Sequence, residues 1–158
     1  MREILFRAKM KEKPVFALKI PWVYGGYVKH TKRQIYPIGD KLKETDVEHL
    51  IICNGFADWG MPMDIEKYEI DPTTVGEYTG LKDIEGKKIF EGDIVEETGH
   101  YLNSNRKTYQ EIKWKENYSC WLRGEYERLT PKNIKKYNIK VIGNIFDNKE
   151  LLEEKWFI

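Results

Sequence analysis

Residues 78–97 read YTGLKDIEGKKIFEGDIVEE, and how this run is read decides the fold. Gly80, Gly86 and Gly92 fall six residues apart, with Gly99 just beyond. Such spacing could hold a phosphate or could turn a sheet. A phosphate-binding P-loop needs four residues between its first glycine and a Gly-Lys-Ser/Thr ending. Here five residues separate Gly80 from Gly86, and Lys88 stands where the magnesium-binding hydroxyl belongs. A dinucleotide loop needs glycines two and then three apart, opening a helix. The run after Gly86 has no helical period. Both phosphate readings fail on spacing.

The turn reading fits. Asp83 to Gly86 predicts a tight turn with Gly86 at positive φ, and Glu91-Gly92 predicts a second. Asp93 is expected to bond its own loop amides ahead of a strand starting at Ile94 and Val95. Gly80, Asp83, Gly86, Gly92 and Asp93 are therefore assigned to a structural turn motif, and Asp93 is a turn residue before it is a catalytic acid.

Short strands are expected on either side. Ile4, Phe6 and Ala8 alternate with Leu5 and Arg7, the period of a strand. Pro14 opens a second short run, VFALKI, which Pro21 ends. WVYGGYVKH at 22–30 reads as a strand with a turn or bulge at Gly25-Gly26. QIYPI at 34–38 is extended, because proline restricts the residue before it. Residues 46–53, DVEHLIIC, could start a capped helical turn at Thr45 with Glu48, but the β-branched alternation favours a strand. IEKYEI at 65–70 is extended, after a loop at 54–64. Residues 107–122 predict a hairpin turning at Glu116-Asn117. Thr130 and Pro131 suit the start of a single helical turn. NIKVIGNIF is the last strand, and Asp147 or Asn148 would cap a short helix, KELLEEKW. The fold class is mainly β, a small barrel or sandwich of many short strands. One domain spans 1–158, with two small β subdomains sharing a core as the variant.

Composition narrows the class. With 41% hydrophobic and 34% charged residues among 158, the chain can bury a core. Two cysteines are too few for a disulfide scaffold, so Cys53 and Cys120 read as reduced thiols of a cytoplasmic protein. No signal peptide, membrane segment or lipidation signal is read. Net charge is +1, but it splits into +8 over 1–43, −11 over 44–97 and +4 over 98–158. The simplest account is that basic and acidic thirds face each other, within a subunit or between subunits. A dedicated DNA binder carries excess positive charge overall.

The central block extends into a longer pattern. REILFRA, WVYGGYV, TVGEYTGLKDIEGKKIFEGDIV and KVIGNIFDNKELL, in that order, resemble the YopX family of phage and prophage proteins. The long central block and the VIGNIF-D-N ending are the distinctive parts. The resemblance implies a phage or prophage protein of unknown biochemical function, with a homo-oligomeric assembly and no established catalytic set. Nothing carries over for residues 40–70.

Little chemistry is legible. His49 and Cys53 share a strand face about 13 Å apart, too far to chelate, and His30, His100 and Cys120 are remote. No metal or cofactor is expected. Cys120 in YSCWL reads as core, and Ser104 and Ser119 lack a nucleophile-elbow context. Carboxylates at Asp83, Glu85, Glu91, Asp93, Glu96 and Glu97 could serve a metal-dependent nuclease, but turn chemistry already explains Asp83 and Asp93. Trp22, Tyr24, Tyr27, Lys29, Lys32 and Arg33, with His30 and Tyr36, could form an aromatic and basic platform for single-stranded nucleic acid. The competing account places the aromatics in the core, and it is preferred. The expectation is a non-enzymatic protein that binds copies of itself, or an unknown phage or host protein, with nucleic acid as the alternative and no membrane.

Overall fold

The computed structural model describes residues 3–32, 39, 41, 43–55, 60, 64–98 and 107–153. The chain divides into two units, residues 4–76 and residues 77–158 with the N-terminal tripeptide. Each has its own apolar cluster. The fold is mainly β, as expected.

In the first unit, β1 (Phe6–Lys9), β2 (Trp22–Thr31), β3 (Val47–Asn54) and β4 (Ile65–Glu69) run antiparallel in the order β4-β3-β2-β1. Ala8, Ile51 and Ile70 form the buried cluster, with Phe6, Val23, Tyr27, Tyr68 and Val75 packed on it. A 3-10 turn at Glu44–Asp46 precedes β3, but Thr45 and Glu48 do not cap it: Lys43 stands at the cap with its N–H bonded to Asp46 Oδ2 at 3.3 Å, Thr45 lies inside the turn and Glu48 lies in the strand. The first strand starts at Phe6, two residues later than the alternation suggested.

The expected turn or bulge at Gly25-Gly26 is not there. β2 runs straight through, pairing residues 22–25 with β1 and residues 26–31 with β3 in unbroken register. The glycines mark the handover between neighbours. A Cβ on Gly25 would lie 2.1 Å from the Ile52 carbonyl oxygen, so only glycine lets the strands approach.

In the second unit, β5 (Gly76–Lys82) pairs with β6 (Lys88–Phe90). A five-stranded antiparallel sheet has the order β10-β9-β8-β7-β11. It comprises β7 (Asp93–Thr98), β8 (Lys107–Lys115), β9 (Cys120–Arg123), β10 (Glu127–Arg128) and β11 (Lys140–Asn144). Among the described residues β10 and β11 are its edges, so this sheet does not close into the barrel that was one of the two expectations. Ile89, Val95, Ile112, Trp121, Leu129, Ile134 and Ile139 make its core. The hairpin at 107–122 is present, turning through Glu116–Tyr118 with Ser119 in the left-handed region at φ 47°. α1 (Pro131–Lys136) starts as predicted, with Thr130 Oγ1 accepting the Asn133 N–H at 3.2 Å.

α2 (Glu150–Glu153) follows β11. Its start differs from the expected side-chain cap. The Asn148 carbonyl accepts the Leu151 N–H, while the Asn148 side chain turns back to accept the Asn144 N–H. Cys120 is half-buried at the start of β9, not in the core.

Candidate functional site

The glycine block folds as a turn motif. Asp83 Oδ1 accepts the Glu85 and Lys87 N–H groups at 2.9 and 2.8 Å. Gly86, at φ 88°, donates to the Asp83 carbonyl. The amides that a phosphate would need are thus bonded to Asp83 itself. Gly80, at φ 83°, lies inside β5 where the β5–β6 register shifts, so it marks a bulge and not a turn. Asp93 Oδ2 accepts the Phe90 N–H at 2.7 Å, closing the Glu91-Gly92 turn as expected.

The two distinctive sequence blocks hold each other. Asp83 Oδ2 accepts the Val141 N–H at 3.0 Å, and the Gly92 carbonyl accepts the Ile145 N–H at 2.9 Å. A Cβ on Gly92 would touch Phe146 at 3.4 Å. Asn144 Oδ1 accepts the Phe146 and Asp147 amides, folding the NIFDN segment into a turn. The pairing of β11 with β7 shifts register between Val141 and Gly143, a bulge beside the NIFDN turn. These contacts make the shared pattern a fold signature.

The remaining carboxylates are separately placed. Glu97 is fully buried and ion-paired with the equally buried Arg123, whose guanidinium lies over the Tyr137 ring. Burial raises the pKa of the Glu91 carboxyl, with amides of Trp114 and Glu77 opposing the shift. Among the described residues no three His, Cys, Asp or Glu are grouped to hold a metal ion.

The aromatic and basic run is divided by strand period. Arg7 lies opposite Tyr24 and Lys9 opposite Trp22, all on one sheet face. The Arg7 guanidinium and Lys9 ammonium sit 4.8 and 5.5 Å from the Trp22 ring centroid. Tyr24 is 47% exposed there. Tyr27 faces the other way, onto the apolar cluster, stacked on His49 with its hydroxyl 2.5 Å from Nδ1. Lys29 follows two residues later and is exposed. His30 and Lys32 meet Glu48 at 2.8 and 3.7 Å, and the His30 contact holds the Glu48 carboxyl below its usual pKa. Arg33 and Tyr36 lie outside the described residues, as do His100, Ser104 and the 34–38 segment. The structure thus brings Trp22 and Tyr24 together and leaves Tyr27, Lys29 and Lys32 elsewhere.

Two features were not anticipated. VFALKI forms no strand. Residues 11–20 make a loop tied at its base by Met10 N–H to the Pro21 carbonyl (3.1 Å) and Lys11 N–H to the Glu69 carbonyl (2.9 Å). Ala17 N–H closes a turn on Pro14. Val15, Phe16 and Leu18 on this loop are 89%, 99% and 97% exposed. The signal was a proline at each end of an apolar run, since proline has no N–H for a sheet ladder. The second feature is a cavity of about 280 Å³ with Val47, Ile70 and Pro72 as its apolar lining and Glu44, Glu69 and Asp71 around them; His49 and Lys11 complete it. Lys11 is bonded to Glu69 at 2.6 Å, which raises its pKa.

Among the described residues, no helix is long and apolar enough to cross a membrane. No curated protein matches the sequence. The crystal structure of protein EF1440 from Enterococcus faecalis is similar in fold, with a TM-score of 0.56 at 20% identity over 96% of this chain and 99% of that one. The family model described as YopX protein matches residues 24–153, which include both blocks joined through Asp83 and Gly92. The chain belongs to the YopX family.

Proposed function

We propose that this is a phage- or prophage-type protein that acts by binding and not by catalysis, as an assembly of its own copies in the cytoplasm of a bacterial host. The observation that carries the reading is the apolar loop 11–20. Monomeric proteins rarely leave contiguous large apolar side chains so exposed, and such patches mark interaction sites. Val15, Phe16 and Leu18 have almost no cover from their own chain. Membership in the YopX family supports the phage-type setting. Light scattering after size exclusion, at low and high salt, tests the reading. An oligomer that persists in salt and ignores a labelled single-stranded oligonucleotide supports it. A monomer at high micromolar concentration overturns it.

A second reading, single-strand nucleic-acid binding, is favoured by one observation: Tyr24 is exposed on the sheet face that carries Trp22, Arg7 and Lys9. Salt-sensitive co-elution with the oligonucleotide, lost in Tyr24→Ala, would put it first.

A further inference from the structure

We propose that the loop 11–20 of one copy docks into the acidic cavity of a second copy, with Phe16 as the anchor. This rests on the self-association reading above and names its contact. The loop exposes Val15, Phe16 and Leu18 between Lys13 and Lys19, with Glu12 before Lys13. The cavity is concave, with an apolar lining at Val47, Ile70 and Pro72 and carboxylates at Glu44, Glu69 and Asp71. Glu69 is paired with Lys11 and Asp71 Oδ1 accepts from Thr73, so the charge complementarity is between Glu44 and the loop lysines. The cavity is half open to solvent, and its volume of about 280 Å³ exceeds the roughly 150 Å³ of an enclosed cavity that holds benzene, so volume does not bar the Phe16 ring.

The loop does not fill the cavity of its own chain, because its apolar side chains are nearly fully exposed there. A second copy is the occupant that supplies both halves at once. The halves are adjacent: Lys11 begins the loop, lines the cavity and bonds Glu69 beside it. A copy that receives a loop therefore presents its own loop next to the filled cavity. Reciprocal exchange then closes a pair, and one-way exchange builds a ring.

The test uses the full chain with substitutions at exposed positions, each checked for a native circular dichroism spectrum. Phe16→Asp with Leu18→Ser should weaken self-association about tenfold or more, the loss expected when an anchoring aromatic leaves an interface. Lys13→Glu with Lys19→Glu should also weaken it, and adding Glu44→Lys to that variant should restore part of the loss. If Phe16→Asp/Leu18→Ser keeps the wild-type mass, self-association stands and the docking proposal falls. If the wild type is itself monomeric at high micromolar concentration, both fall. Sedimentation with vesicles containing phosphatidylserine covers the other apolar occupant. Binding of a monomeric wild type that is lost in the loop variant would assign the loop to a lipid surface and overturn the proposal.

Discussion

Asp83 shows how one residue joins local and distant structure. Its Oδ1 serves two amides of its own turn, a contact that Asp-x-x-Gly predicts from sequence. Its Oδ2 serves Val141, fifty-eight residues away. That half was not legible, because a backbone amide leaves no mark in sequence. Asp83→Ala removes both acceptor oxygens and the three hydrogen bonds they accept, and leaves the Val141 amide without this partner. It should cost about 3 kcal/mol in urea unfolding, with Asp83→Asn less harmful because Oδ1 survives. An Asp83→Ala protein as stable as wild type would refute the role. Glu91 makes the opposite prediction. Burial is the first cause of its raised pKa, with the carboxylates of Glu77 and Glu111 adding to it. The folded state therefore favours the protonated form, so its contribution is fully present below the ordinary value of 4.5 and is lost as pH rises through the raised folded value. Glu91→Gln should raise the melting temperature at pH 7, and the gain should vanish below pH 4.5. An equal gain at pH 4 and pH 7 would show that charge is not the cause.

At the scale of elements, period was readable and neighbours were not. The alternation in β1 and β3 predicted strands, and strands formed. The pair Gly25-Gly26 predicted a bend, because glycine is a punctuator in sequence. In the sheet it answers a different need, the approach of the Ile52 carbonyl. Which strand passes beside a glycine is a long-range fact. Gly25→Ala should cost about 2–3 kcal/mol by forcing β2 and β3 apart, while Gly26→Ala should cost less, its Cβ lying 3.9 Å from that oxygen. Equal melting temperatures for the two variants would contradict the close approach. The same limit divided the aromatic run. Trp22, Tyr24 and Tyr27 are close in sequence, but the odd spacing between Tyr24 and Tyr27 puts them on opposite sheet faces. The period could have been applied to that run directly. The loop 11–20 is the reverse case: it was counted among the short strands although the prolines at its ends argue against one, and exposure of its apolar side chains depends on what the rest of the fold declines to cover.

For the molecule as a whole, the small net charge of +1 matters more than the uneven distribution. Copies so nearly neutral repel one another little, so short-range contacts decide whether they associate. The basic and acidic stretches partly neutralise each other inside the first unit, through Lys11–Glu69 and the approach of His30 and Lys32 to Glu48. On the docking proposal, the loop would bring to a second copy an apolar anchor with Lys13 and Lys19 beside it. Exposed ion pairs contribute about 0.2–1 kcal/mol each and are screened once the Debye length falls to about 3 Å near 1 M salt. Apolar burial is not screened. Raising salt from low to about 1 M should therefore weaken self-association by only about tenfold, the equivalent of about 1.4 kcal/mol. Binding through phosphate contacts behaves differently, since six or more lose about a thousandfold between 50 and 200 mM salt. Sedimentation equilibrium across a salt series separates the two. A shallow slope for self-association fits an apolar anchor, and a collapse of the assembly at modest salt would mean that charge, and not Phe16, holds the copies together.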